Sequence, residues 1–307
     1  MSPKIKERIK NGKKYFSFIY SYREKSQIKH IEKGIGYLLP SSDKLEIIKD
    51  QFFEKVFEKR WNKKISRIKN SYHERLDQNS EETLIKEFRS FGINFTFESN
   101  KIEGSTMTYR DTSMLLEYQI SPPNKKIQDV LETRRHMEVY ESLLNIKEDI
   151  SIDLIKKWHK DLFKDTKPSH AGIFRDIALS RKGTQGVNVV IIGSLHKPPT
   201  FEKISLLMAE LIEWYQNKKK IYNPVFLAGL FHLKFSIIHP FVDGNGRMSR
   251  LINNYILHKN GYPMLNIKYN QRRGYYSSLE NSSIENKNEM HFINWYMRRY
   301  FSENKEI

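Results

Sequence analysis

Residues 239–250 read His239-Pro240-Phe241-Val242-Asp243-Gly244-Asn245-Gly246-Arg247-Met248-Ser249-Arg250. The stretch before it, Val225 to Ile238, is largely apolar and long enough for a buried helix. The stretch after it, Met248 to Leu257, is apolar at helical spacing. Pro240 and the two glycines do not fit inside one continuous helix. The spacing therefore predicts a loop held rigidly between two buried helices.

Chemistry follows from what this loop carries. Gly244, Asn245 and Gly246 offer backbone amides at the start of a helix, a nest for an anion that the helix dipole also favours. Arg247 and Arg250 stand three residues apart on one helical face. Two guanidinium groups beside an amide nest suit a polyphosphate. Asp243 would repel phosphate unless a cation lay between them, which points to Mg²⁺. His239 is expected to take up a proton near neutral pH. Any one of these residues also fits a plain helix-connecting loop with a buried histidine; the whole set describes phosphoryl or nucleotidyl transfer. The segment is neither a Walker A loop nor a Rossmann fingerprint.

The same segment closely resembles the Fic family motif, H-P-F-x-[DE]-G-N-G-R-x-x-R, and matches it at every fixed position. His232 and Phe235 resemble the lead-in to that motif, and Leu154, His159, Leu162, Ala171-Gly172 and Arg175 look like an earlier helix and turn of the family. Similarity covers roughly residues 90–300. The resemblance implies transfer of AMP from ATP to a Ser, Thr or Tyr hydroxyl of a protein, with ATP as co-substrate and Mg²⁺ as cofactor. His239 would be the general base and Asp243 the metal ligand. Gly244, Asn245 and Gly246 would form the anion hole, Arg247 would contact the phosphates, and Arg250 would contact the γ-phosphate. The target is another protein or the chain itself.

Residues 99–104 read Ser-Asn-Lys-Ile-Glu-Gly. Ser99 and Glu103 lie four apart on one helical face, and Gly104 is a natural helix stop. Alone this is a common surface helix end. Beside the motif it resembles the family's inhibitory sequence, [ST]-x-x-x-E-[GN], which implies that Glu103 pairs with Arg250 and competes for the γ-phosphate site. The same glutamate could instead orient water and remove AMP.

Two further regions are placed by the resemblance. Val189, Val190, Ile191 and Ile192, within the β-branched run from Val187, are expected to form a β-hairpin flap that pairs with an extended target segment. A plain surface hairpin is the alternative. Arg273, Tyr275, Tyr276 and Leu279 look like the helix after the motif, with Tyr276 favoured over Tyr275 to stack on adenine.

Outward from these motifs the chain of 307 residues reads mostly as helices. They are expected at about 82–91, 94–103, 108–119, 126–145, 151–163, 201–217, 223–237, 246–259, 271–283 and 288–302. The first forty residues differ: Tyr15 to Tyr22 and Ile28 to Gly36 predict a small hairpin or sheet. An amphipathic helix follows from Ser42 to about Tyr72, broken near Asn62, and the polar stretch Asp77 to Glu82 reads as a linker. The expected architecture is mainly α: a Fic-type helical core with a β-hairpin flap over 81–303, and a small basic β/α region over 1–80.

Composition narrows the remaining classes. Absence of cysteine excludes a disulfide framework, a thiol nucleophile and a thiolate metal site. No apolar run approaches the ~20 residues of a membrane span, and the first residues lack the apolar core of a signal peptide, so a cytoplasmic protein without membrane contact is expected. The formal charge is +17, and residues 1–80 hold 20 Lys/Arg against 10 Asp/Glu. That region is read as a solvated basic face, a docking or homodimer element, or a nucleic-acid contact. Two other functions stay open: a Fic-fold transferase with a different nucleotide or phosphate donor, and a nucleotide-sensing regulator that binds nucleic acid.

Overall fold

The computed structural model describes residues 4–180, 183–184, 186–191, 196–283 and 288–305. Three antiparallel strands open the chain: β1 (Lys4–Lys10), β2 (Lys13–Glu24) and β3 (Gln27–Gly36), in the order β1-β2-β3. Asn11 and Gly12 both take positive φ, 52° and 70°, the geometry of a two-residue hairpin turn. The sheet has one strand more than the aromatic run predicts. Every residue of β1 is exposed, so that strand lacks the apolar alternation by which a buried one is read. Alternate residues of β2 and β3 (Phe18, Tyr20, Ile31) are buried on one face.

Helix α1 (Ser42–Phe57) runs through a π-helical turn (Glu58–Asn62) into α2 (Lys63–Gln78). The irregularity expected near Asn62 is thus a wider, under-wound turn rather than a break. It keeps Phe53, Val56, Phe57, Trp61, Ile65 and Ile68 buried along one continuous seam. The expected linker shrinks to two residues: α2 ends at Gln78, and Ser80 caps α3 (Glu81–Ile102) by accepting from the Thr83 amide at 3.3 Å.

The two helices expected at 82–91 and 94–103 are the single helix α3. Gly92 does not break it, because a β-carbon there would stand 2.4 Å from the Tyr140 ring. The glycine serves close helix packing, which outweighs its poor helix propensity. The chain continues through α4 (Tyr109–Tyr118), α5 (Ile127–Asn145), α6 (Ile152–Phe163), a short ladder of β4 (Leu179–Ser180) with β5 (Gly183–Thr184), and α7 (Ile204–Lys218). It closes with α8 (Pro224–Ile238), α9 (Asn245–Lys259), α10 (Arg272–Glu280) and α11 (Glu289–Glu303). Among the described residues no helix is long and apolar enough to cross a membrane.

Helices α8 and α9 form the buried axis: α8 is apolar nearly all round, and α9 is buried nearly all round although it carries Arg247, Arg250, Asn253 and Asn254. The basic N-terminal region packs onto this axis through Phe226, whose ring meets Phe53, Phe57, Trp61 and Tyr222 at centroid distances of 5.2–6.2 Å. Beside it the buried Asp50 carboxylate accepts from Tyr222 Oη at 2.6 Å and from Lys218 Nζ. Tyr20 Oη donates to Asn294 Oδ1 on α11 at 2.9 Å. One hydrophobic core therefore joins the sheet, α1 and the helical axis. Phe226→Ala should destabilise the chain by about 3–5 kcal/mol in a urea titration, with one shared transition. A two-step curve in which residues 4–78 melt first contradicts the shared core.

Candidate active site

Three buried side chains hold the loop between α8 and α9 by hydrogen bonds. Helix α8 ends on His239 in the left-handed conformation (φ 53°, ψ 60°), an uncommon state for a residue with a β-carbon. The buried Arg175 clamps it there: Nε donates to His239 O at 2.8 Å, Nη2 to Ile238 O at 3.4 Å, and the Arg175 amide to Pro240 O at 2.9 Å. Asn245 brackets Phe241, accepting from its amide at 2.9 Å and donating to its carbonyl at 2.8 Å. His159 Nδ1 accepts from the Gly172 amide at 2.9 Å, which leaves Nε2–H to donate to Asp243 O at 3.0 Å. Its ring stacks on Phe241 with centroids 3.6 Å apart. Gly244 takes φ 81°, and a β-carbon there would strike Phe163 at 2.2 Å. The loop is thus fixed before any ligand arrives.

The start of α9 faces a carboxylate. Glu103, the C-terminal cap of α3, lays Oε1 over Gly246, where a β-carbon would be 2.3 Å away. Arg250 Nη2 donates to Glu103 Oε1 at 2.8 Å and to Ser99 O at 2.9 Å, and Nε donates to Ser99 Oγ at 3.0 Å. Gly104 follows at φ 93° and stops the helix. Ser99, Glu103, Gly104, Gly246 and Arg250 therefore meet as the sequence suggests. Arg250 is buried and its Nη1 has no partner. Ser99 also contacts the buried His136, with Oγ 3.2 Å from Nε2, a neighbour that the motifs did not reveal.

The two arginines do not converge as expected. Arg247 turns away from Arg250 and donates through Nη1 to the buried Glu132 carboxylate of α5, with its guanidinium 4.6 Å above the Phe163 ring. Glu132 also accepts from Lys167 Nζ at 3.1 Å, and Lys167 Nζ reaches Asp243 Oδ2 at 2.5 Å. Glu132 and Lys167 were missed. The available signal was a carboxylate at 132 in the inward series with His136, Val139 and Leu143. The anion hole is also reduced: the Gly244 amide already donates to Asp243 Oδ1 at 2.6 Å, and the Asn245 side chain is spent on the loop. The free amides of Asn245 and Gly246 remain at the helix end. Among the described residues no cluster of three or more His, Cys, Asp or Glu side chains could hold a metal; Asp243 stands as a single, half-exposed carboxylate.

Two cavities flank Glu103. One of about 290 Å³ is lined by His239, Gly246, Tyr276, Leu279 and Ile191, among others. The other, about 180 Å³ and polar, is lined by Asn100, Glu132, Lys167, Asp243 and Arg247, among others. Glu103 is the one described residue that lines both.

Residues 149–257 match the Fic/DOC family model. They form a Fic/DOC family domain. The chain is 33% identical over 192 residues to a protein adenylyltransferase Fic of Nematostella vectensis, covering 61% of this chain and 42% of that protein. It is 35% identical over 188 residues to the protein adenylyltransferase Fic of Drosophila melanogaster, covering 60% of this chain and 36% of that protein. The chain thus spans less than half the length of these curated relatives. A Fic domain containing signaling protein from Bacteroides thetaiotaomicron superposes with a TM-score of 0.66 at 26% identity, covering 78% of this chain and 95% of that one. Fic-1 from C. elegans shares the fold at 20% identity, with a TM-score of 0.68 over 87% of this chain and 77% of that one.

In this Fic domain the expected hairpin at Val187–Ile192 is corrected. Residues 186–191 form no strand, and Ile192 lies outside the described residues. Val187 is instead pinned to Arg175, whose carbonyl accepts its amide at 2.6 Å, and Asn188 Oδ1 accepts from the Phe201 amide at 3.0 Å. Branched side chains favour extended backbone, but a strand also needs a partner, and these bonds take its place. Val189 is part-buried, Val190 is exposed, and Ile191 reaches the cavity of His239. Tyr275 and Tyr276 both line that cavity; Tyr276 is partly exposed, while Tyr275 is buried with Oη 2.8 Å from His232 Nε2.

Burial moves four histidines around the loop away from neutral pH. Desolvation, the leading cause in each case, pushes His239 and His159 down to about 4 and His232 to about 3, and holds the fully buried His136 well below its ordinary value. His239 is therefore a neutral acceptor at physiological pH, a correction to the near-neutral titration expected. Unfolded histidines titrate near 6.5, so from about 6.5 down to these lower values the unfolded chain binds more protons and stability falls with pH. Each histidine contributes up to about 1.4 kcal/mol per pH unit in that window. The urea midpoint should fall steadily between pH 7 and 5; a flat profile contradicts the buried neutral set.

Proposed function

We propose that the chain transfers AMP from ATP to a hydroxyl of a protein, itself included, and that Glu103 holds this reaction in check. The observation that carries the reading is the Glu103–Arg250 pair seated over the free amides of α9. A carboxylate bound there occupies the position that a phosphate would take. With Glu103 displaced, the unpartnered Nη1 of Arg250 and the α9 amides would be available to a polyphosphate. Tyr276 and Leu279 line the wider cavity as a platform for a nucleobase.

In this reading the neutral His239 accepts the proton of the incoming hydroxyl. The hydroxyl oxygen bonds to the α-phosphorus while the bond to the bridging oxygen of the β-phosphate breaks, and pyrophosphate leaves. The α9 amides and Arg250 stabilise the charge that develops on the phosphates, which fixed donors do without reorganising. Asp243, half-exposed beside the polar cavity, fits Mg²⁺, which takes one or two carboxylates plus phosphate oxygens. When bound, that ion neutralises phosphate charge. Glu103 also lines the cavity of His239, so the same carboxylate is suited to orient water for the reverse hydrolysis.

Labelling with α-³²P-ATP should transfer radioactivity to protein, and γ-³²P-ATP should not. Glu103→Gly should raise self-labelling at least about tenfold, and adding His239→Ala should lower it again by about 10² or more. Label from the γ-phosphate, or an unchanged Glu103→Gly signal, contradicts the reading.

A further inference from the structure

We propose that Lys167 is a resident cation of the Asp243 carboxylate, which a divalent metal must displace, and that Glu132 retains the ammonium when it leaves. The inference rests on the reading of Asp243 as the metal ligand beside a polyphosphate.

Both oxygens of Asp243 are occupied. Oδ1 accepts from the Gly244 amide at 2.6 Å, a bond built into the turn that starts α9, and lies 3.9 Å from Nη2 of Arg247, whose guanidinium is anchored on Glu132. Only Oδ2 is held by a side chain that can move, and its occupant is Lys167 Nζ at 2.5 Å. A divalent ion that takes Oδ2 meets an ammonium already there. Two cations cannot share one carboxylate oxygen at contact distance without strong repulsion.

Lys167 cannot withdraw as a whole. Its amide donates to Phe163 O at 2.8 Å and its carbonyl accepts from the Ala171 amide at 3.1 Å, so the backbone is tied on both sides. The side chain must swing about a fixed root. Glu132 Oε1 already receives Nζ at 3.1 Å, and the Phe163 ring lies 4.9 Å from it. The ammonium can thus leave Asp243 without losing its second carboxylate. Glu132 is buried and its other oxygen holds Arg247, so it is a fixed receiver.

The space beside them is built for a polar occupant. The cavity wall includes the buried Asn100, whose amide oxygen and nitrogen both lack partners, and Arg247, whose Nε lacks one. Lys167 then has two roles. It screens Asp243 from phosphate when no metal is bound, and it weakens metal binding by the strength of its own pair.

Calorimetry on the full chain with α,β-methylene-ATP, in Mn²⁺ and separately in EDTA, tests this. Lys167→Met should bind the Mn²⁺–nucleotide about five- to tenfold more tightly than wild type. In EDTA its affinity should not rise, since Asp243 then faces phosphate with Arg247, 3.9 Å away, as its remaining cation. Lys167→Gln, which keeps a donor for Glu132, should repeat the gain, and Lys167→Arg should stay within about twofold of wild type. Equal or weaker Mn²⁺–nucleotide binding by both neutral variants overturns the proposal. If wild type and variants alike bind no nucleotide under either condition, the reading of the site falls first and takes this inference with it.

Discussion

The bond between Glu103 and Arg250 is the contact on which the rest of the site depends. It ties the end of α3 to the second turn of α9 and sets a carboxylate over the only helix start that the loop leaves open. A guanidinium this buried needs a countercharge, and removing one partner of such a pair commonly costs about 3–5 kcal/mol. Ser99 limits that cost here, because its hydroxyl and carbonyl each hold one guanidinium nitrogen independently of Glu103. Arg250 can therefore keep its place while exchanging one anion for another. That property is what the proposed role of Glu103 as a removable brake requires.

Rigidity around the pair makes the exchange meaningful. Arg175, Asn245 and His159 hold five backbone positions, 238–241 and 243, through side-chain hydrogen bonds and, at Pro240, through the Arg175 amide. The amides of α9 and the backbone of His239 are thus held by contacts that do not involve Glu103. Preorganised donors lose little on reaction, and their cost is met in folding by the packed axis of α8 and α9. The neutral state of His239 follows from the same burial: a site closed enough to exclude water also disfavours imidazolium.

Much of this was legible in the sequence, and the reasons are specific. Pro240, Gly244 and Gly246 interrupt an otherwise apolar helical pattern, so the loop and its two helices are readable from local chemistry. The pairing of Glu103 with Arg250 was implied by the resemblance of residues 99–104 to the family's inhibitory sequence, because their spacing alone reads as a common surface helix end. What was hidden depends on distant neighbours. Gly92 reads as a break until the Tyr140 ring is seen beside it. The Val187–Ile192 run reads as a strand until Arg175 and Phe201 take its hydrogen bonds. Glu132 and Lys167 lie 35 residues apart and meet only because α5 and the turn after α6 both border the loop. A depressed histidine cannot be read from composition, since burial alone sets it.

The most direct test is a crystal structure of the Glu103→Gly chain with α,β-methylene-ATP and Mg²⁺. The account predicts the γ-phosphate on Arg250 in place of the carboxylate, the α-phosphate at the Asn245 and Gly246 amides, and the metal on Asp243. A nucleotide bound elsewhere, with Arg250 still engaged only by Ser99, would contradict it.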